Sequence, residues 1–515
     1  MASRVLGLVR DKATVFYFSQ ATADALYLAW TIPNLFRRLF GEGALSAALV
    51  PVLAETEERS GREARNRVAR SVIWSLIAFL APLTAALLAA LLLLPERFGL
   101  GLFESETTGR ETLRLLRFTL PYLVLICVAG QLQAVANLAG RFFLPALAPA
   151  VGNVTWIAGA VAAGWLARRF GAAASAEPDA IWVAVGILAG GALQVVVQAL
   201  ELARVGENCL KPAPIGTREV SDVSRRMAPM LLGLAASQVN LLVDRFIAEA
   251  MVPGEGAVTQ LYLGNRLMQL PLGVVGVALG TAVYPALARA AARRDFDELG
   301  RTLAAAVRTA TTLCVPAILG LVALAGPIMG LLFEGGAFTA ADARASGACM
   351  AAYAPTLWFQ TAVLLLARAD YAQGNQRRPV VVSAIAVAVN VVLDLLLVGP
   401  FGATGVAAAT SIATLVNALL LVRGQKLSGF SVKRELLVPG LRVVVAASTM
   451  AGVVVALRTL LSLGDALVVG LGVALGLAVF FLAARLVCPR ELGELLRLLR
   501  QRRTPSGDGS TMAGR

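Results

Sequence analysis

AFLAPLTAALLAALLLL, residues 78–94, and ALVVGLGVALGLAVFFLAA, residues 466–484, contain no charged side chain. A helix rises about 1.5 Å per residue, so about 20 apolar residues cross the roughly 30 Å hydrocarbon core of a bilayer. Both runs approach that length. Around them, 58% of the 515 residues are hydrophobic and 15% charged, with a mean hydropathy of +0.74. That is apolar material for on the order of 10 to 15 spans, and a soluble globular domain is excluded. The chain has no histidine, which removes Ser-His-Asp chemistry, His-ligated metals and the usual physiological proton switch. Cys127, Cys209, Cys314, Cys349 and Cys488 lie far apart with no CxxC pair, and no GxxxxGK[ST] loop occurs. The expectation is an all-α polytopic membrane protein without its own ATPase, a transporter and not an enzyme.

Fourteen helical segments centre near residues 12, 37, 82, 125, 157, 192, 237, 272, 317, 355, 388, 413, 448 and 477, so the connections fall alternately on two sides. One side holds 28 Lys and Arg residues, among them Arg59, Arg62, Arg65, Arg377 and the tail from Arg490; the other holds 5, namely Arg97, Arg110, Arg168, Arg169 and Arg458. Basic residues concentrate in cytoplasmic loops, which places both termini inside. The net charge of +14 thus reads as an orientation signal, and no nucleic-acid partner is expected. Arg4, Arg10, Asp11 and Lys12 make the start of the chain a charged span and not a cleavable signal peptide.

Shifted by 234 residues, the chain aligns Pro51 with Pro285, Pro82 with Pro316, Pro121 with Pro355, Pro145 with Pro379 and Gly140 with Gly374. ALSAALVPVLA (44–54) meets ALGTAVYPALA (278–288), identical at six of eleven positions, and at a shift of 235 Leu26-Tyr27-Leu28 meets Leu261-Tyr262-Leu263. The chain reads as a duplication. Six spans separate the copies, an even number, so the copies share one orientation and an axis along the membrane normal. The expected organisation is two parallel six-helix lobes, 1–205 and 226–425, joined by a cytoplasmic linker, 206–225. Two extra C-terminal helices, 13 and 14, occupy 426–488. A basic amphipathic helix and disordered tail fill 489–515.

Charges inside apolar spans point to function. An arginine at mid-bilayer costs roughly 2.5–3.5 kcal/mol even on the lenient insertion scale, yet Arg4, Arg10, Asp11, Asp24, Arg37 and Arg38 crowd the first two spans and Arg266 sits in the eighth. Guanidinium groups stay charged and bind phosphate oxygens in pairs, so Arg4, Arg10, Arg37 and Arg266 suit a hydrated, anion-binding cavity. The alternative for part of the cluster is internal ion pairing with Asp11, with Arg38 snorkelling to an interface. A second group joins Asp244 in the seventh span, Asn390 and Asp394 on one face of the eleventh, and Thr410 with the backbone near Val406 in the twelfth. These hard oxygen ligands fit an alkali cation. The same residues fit a structural network, with Asp244 paired to Arg245 and Asp394 at the interface before Gly399-Pro400.

SRVLGLVRD (3–11), ATADALYLAWTIPNLFRRLFGEGALSAALVPVLAE (21–55), NRLMQLPLGVVGVALGTAVYPALA (265–288) and residues 390–420 closely resemble the MurJ (MviN) lipid II flippases of the MOP exporter superfamily. The resemblance runs over all fourteen spans. It implies movement of an undecaprenyl-diphosphate-linked muropeptide, lipid II, from the cytoplasmic to the periplasmic leaflet of the bacterial inner membrane, by alternating access and for cell-wall synthesis. It implies a cationic headgroup site at Arg4, Arg10, Arg37 and Arg266, with Asp24 as acidic partner and Glu42 and Asn265 beside it. A groove along helices 13 and 14 takes the lipid tail. Sodium as coupling ion falls on Asp244, Asn390, Asp394, Val406 and Thr410, and no other cofactor is implied. The expected partners are lipid II and membrane lipids, and the expected state is a monomer. Thr31 stands where the family often has a base, and Asn265 where it often has an acid. The alternative is a MOP-type exporter of another polyprenyl-diphosphate-linked oligosaccharide; drug export predicts an acidic cavity, and this one is mainly basic.

Overall fold

The computed structural model describes residues 2–41, 44–93, 103, 105–170, 177–423, 438–461 and 464–493. Glu42 and most of the expected tail, 494–515, lie outside them. The helices are α1 (Ala2–Tyr17), α2 (Gln20–Phe36), α3 (Ala44–Leu93), α4 (Glu106–Thr119), α5 (Tyr122–Leu138), α6 (Phe143–Phe170), α7 (Ile181–Arg204) and α8 (Arg218–Met251). They continue as α9 (Ala257–Ala292), α10 (Phe296–Ala323), α11 (Ala325–Phe333), α12 (Ala340–Tyr353), α13 (Thr356–Ala372), α14 (Arg377–Arg423), α15 (Val438–Leu460) and α16 (Asp465–Val487). Among the described residues no strand forms, only an isolated bridge between Gly335 and Phe338.

Nine helices among the described residues are long and apolar enough to cross a membrane, or ten if α4 and α5, bent by 46° at their junction, form one span. The apolar window of α16 has a mean hydropathy of 2.6 but is only 22% buried. Leu482 and Leu486 are exposed along it. Apolar surface on this scale would drive association in water and is what lipid requires. Helix α2 passes into a π-helical turn, Arg37–Gly41. Left-handed backbone at Gly61 (φ 77°) breaks α3, and Gly402 (φ 58°) breaks α14.

The duplicated residues keep duplicated geometry. Pro121 precedes α5 with φ −61° and ψ −25°, and Pro355 precedes α13 with φ −59° and ψ −27°. Each proline interrupts the helical ladder at the same place because it has no N–H to donate. At the far ends, Gly140 (φ 75°) and Gly374 (φ 78°) stop the helices. The bonds that wrap those ends match as well: Arg141 N donates to Ala136 O at 2.8 Å and Asn375 N to Asp370 O at 2.9 Å.

The chain divides into two compact units. The first comprises Met1–Leu263, Leu332–Ser346 and Val387–Ala409. Its core gathers Phe18, Leu26, Leu49, Leu123, Trp156 and Ile187, and α6 and α7 cross so closely that a Cβ on Gly159 would lie 2.4 Å from the Trp182 carbonyl. The linker after α7 is tied to α3 through the fully buried Glu207, which accepts from Arg62 and Arg65. The second unit comprises Gly264–Leu331, Gly347–Ala386 and Thr410–Arg515. One cluster there packs α10 with α13 around Leu303 and Leu365, and another packs α15 with α16 around Ala446, Met450 and Phe480.

Candidate functional site

Burying a guanidinium requires partners for its N–H groups. Arg10, 8% exposed, has several. Its Nε and Nη2 donate to Asp11 Oδ1 at 2.9 and 2.6 Å, Nη2 also to the Tyr262 hydroxyl at 2.5 Å, and Nη1 to Asn153 Oδ1 at 3.3 Å. The ring of Trp156 lies 4.6 Å from its charged carbon, and Trp156 is held by a 3.0 Å bond from Nε1 to the Thr14 hydroxyl. Tyr262 stacks on Tyr27 with centroids 4.0 Å apart and donates to Asp11 Oδ1 at 3.2 Å. Arg245, also buried, donates to the Thr31 hydroxyl and stands 5.2 Å from the centre of the Tyr262 ring. At Thr31, where the resembled family often has a base, a base arrives from another helix.

Of the other expected headgroup residues, Arg4, Arg37 and Asp24 lie in the first unit. Arg4 is exposed on α1. Arg37, in the π-helical turn, donates through Nε and Nη2 to Asn34 Oδ1 at 3.1 and 2.9 Å; Arg38 reaches Gln238 Oε1 at 3.3 Å. Asp24 pairs with none of the described arginines. It is buried, and its two oxygens accept from the backbone N–H groups of Gly256 and Thr259, both at 2.7 Å, where α9 begins. Asn265 and Arg266 belong to the second unit. There Asn265 accepts from Gln269 Nε2 at 2.5 Å, and Arg266 is half-buried.

The acid–amide group is compact. Asn390 Nδ2 donates to Asp244 Oδ1 at 3.2 Å and to Asp394 Oδ2 at 2.6 Å, and Asn240 Nδ2 donates to the two Asp244 oxygens at 3.2 and 3.4 Å. Asp394 is fully buried, and the helical break falls at Gly402, eight residues later. Its Oδ1 is buried with no hydrogen-bond partner among the described residues, so its acceptor capacity is unused. Val406 is buried in the same unit, and Thr410 is the first residue of the second unit's last segment. Among the described residues no group of three or more His, Cys, Asp or Glu side chains gathers as a metal site would.

In the second unit a cavity of about 370 Å³ opens between α10, α15 and α16, lined by Pro316, Gly320, Leu324, Met450, Gly476 and Phe480 among others. Its walls are almost wholly apolar, as an alkyl or prenyl chain requires.

Residues 13–477 match the family model described as lipid II flippase MurJ. The chain belongs to the MurJ family. It is 32% identical over 510 residues to the probable lipid II flippase MurJ of Vibrio cholerae, covering 94% of each chain, and 32% identical over 467 residues to that of Bdellovibrio bacteriovorus, covering 89% and 86%. A solved lipid II flippase MurJ in an inward closed conformation superposes with a TM-score of 0.76 at 25% identity, covering 94% of this chain and 96% of that one. An inward-facing multidrug-resistance MATE transporter of the MOP superfamily shares the fold at a TM-score of 0.68 and 14% identity, over 81% and 92%. Within this MurJ-family chain, sequence reasoning missed Tyr27, Asn153, Trp156, Arg245 and Tyr262 as members of the Arg10 cluster. One signal for them was present, since the repeat pairs Tyr27 with Tyr262.

Proposed function

We infer that the chain is a lipid II flippase, a multi-pass transporter of the bacterial inner membrane and not an enzyme. The observation that carries this reading is family membership across nearly the whole chain, at 32% identity to a probable lipid II flippase over 94% of both proteins. The chemistry agrees. A diphosphate cannot enter hydrocarbon without losing its water, and the guanidinium groups of Arg4, Arg10, Arg37 and Arg266 replace that water, with Asp24, Glu42 and Asn265 assigned beside them on sequence. The prenyl chain stays in apolar surroundings, for which the cavity between α10, α15 and α16 is suited. Fourteen spans in two six-helix lobes with an added helix pair, and both termini in the cytoplasm, complete the scheme; rocking of the lobes exposes the headgroup on alternate sides.

The acid–amide cluster fits a monovalent cation, since an amide oxygen and two carboxylates, one of them Asp394 with its unpartnered Oδ1, are hard donors without a thiolate or imidazole. Asp244, Asn390 and Asp394 would hold sodium, with Val406 and Thr410 added on sequence. A sodium ion bound there would place positive charge beside two adjacent buried carboxylates.

Complementation of a flippase-depleted bacterium, read together with lipid II accessibility on the outer leaflet, tests the function. Wild type is expected to restore growth and Arg10→Ala to fail at normal expression. Growth with Arg10→Ala at normal levels would sink the headgroup assignment. For the cation, Asp394→Ala is expected to abolish any sodium dependence of transport; sodium-independent transport in wild type, unchanged by the substitution, would refute it.

A further inference from the structure

Within the first unit, the π-helical turn that carries Arg37 is fastened to α5. Gln131 Nε2 donates to the carbonyls of Phe40 at 2.6 Å and Gly41 at 3.3 Å, and Ser46 Oγ donates to the Gly41 carbonyl at 2.7 Å. Backbone meets backbone there, since a Cβ on Gly130 would collide with the Gly41 carbonyl. Beside that crossing a cavity of about 370 Å³ opens, lined by Gly41, Ser46, Val50, Gly130, Gln133 and Asn137 among others. Gly130, Gln133 and Asn137 follow one another at spacings of three and four, so they share one face of α5. Gln133 is half-buried and Asn137 exposed, and neither amide bonds another described side chain or carbonyl. An amide in an apolar span is costly without a partner. Gln131 is used in holding the π turn; packing gives Gln133 and Asn137 no comparable task.

We propose that this cavity is a sugar subsite, in which Gln133, Asn137 and Ser46 hydrogen-bond the hydroxyl and acetamido groups of the N-acetylated hexosamine attached to the diphosphate. The inference rests on the flippase reading and names the part of the substrate that the cavity takes. Its lining contains no charged side chain, so a phosphate there would go unneutralised, and an alkyl chain would strand the amides. A sugar suits it on both counts. Each amide offers two N–H donors and an acceptor oxygen, and each hydroxyl can answer either. The volume falls within the roughly 300–1,000 Å³ of small-molecule sites. Position agrees as well, because Gly41 lines the cavity from the same π turn as Arg37, and a Cβ on Gly41 would stand 3.5 Å from Arg37 Cγ. The group bonded directly to a diphosphate is the one that must lie beside the residue holding it. π-helical turns recur at functional sites, and this one would join the charged and the neutral parts of one headgroup site.

The test compares two ligands, a polyprenyl diphosphate bearing the N-acetylated hexosamine and the bare polyprenyl diphosphate, each bound to the purified full chain in nanodiscs. Wild type is expected to bind the glycosylated lipid more tightly. Gln133→Leu and Asn137→Leu should each weaken that binding about three- to tenfold, as loss of one or two neutral hydrogen bonds does, and leave the bare diphosphate unchanged. Gln133→Asn keeps the amide on a shorter stem and should lose less, which preserves the test if Gln133→Leu does not fold. A wild type without preference for the glycosylated lipid would overturn the subsite, as would Leu variants that bind it normally. Equal loss of both ligands would give the amides a purely structural role and overturn it too. Failure of wild type to bind either lipid or to flip lipid II in vesicles would instead overturn the flippase reading itself.

Discussion

Asp24 shows how far a residue's work can lie from its neighbours in sequence. The first N–H groups of a helix lack partners inside it, and Gly256 and Ala257 at the start of α9 have no side chain able to accept from them. A carboxylate 232 residues away takes that place, with two bonds of 2.7 Å and a negative charge at the positive end of the helix. Asp24→Ala should lower stability by about 1–2 kcal/mol, read as a drop in the thermal midpoint of the purified protein. Asp24→Asn, which keeps one acceptor oxygen, should lose less. An Asp24→Ala protein that melts like wild type would show that the cap contributes nothing. That Asp24 is unusual was legible, because an acid inside an apolar span is rare. Its partner was not, since capping from a distant helix leaves no local pattern.

Among the helices, repetition made more of the structure readable. Of the prolines that align at a shift of 234, Pro121 and Pro355 mark equivalent helix starts, and the aligned Gly140 and Gly374 mark equivalent helix ends with φ of 75° and 78°. Nothing lies within 4 Å of a Cβ built on either glycine, so alanine would meet no clash and would bear only the left-handed backbone. Gly140→Ala and Gly374→Ala should each cost roughly 1 kcal/mol, nearly equal and additive in the double variant. Thermal melts of the three proteins decide this, and a severalfold difference between the single variants would contradict the equivalence. Separate segments centred near 37 and 82, and near 388 and 413, place a break in each region, but the sequence did not mark Gly61 or Gly402 as the residue that turns.

For the whole molecule, the distribution of Lys and Arg predicts sidedness. The five native cysteines are buried, and burial together with the charge of Glu207 pushes the Cys209 thiol up to about 11, which keeps it protonated. Introduced cysteines can therefore report alone. In right-side-out vesicles a membrane-impermeant maleimide should label Arg458→Cys and spare Arg377→Cys, both exposed positions. The reverse pattern would invert the orientation. Sequence by itself determined the solvent, the duplication and the family, because hydropathy, periodic spacing and long motifs are properties of the chain read in order. Only the tertiary structure decided what each buried charge meets: Arg10 finds a tyrosine 252 residues away, Arg245 a threonine 214 residues away, and Asp244 an amide 146 residues away. In an apolar interior a charge must be satisfied by whatever polar group packing brings to it, and which group that is depends on how helices distant in sequence come to lie side by side.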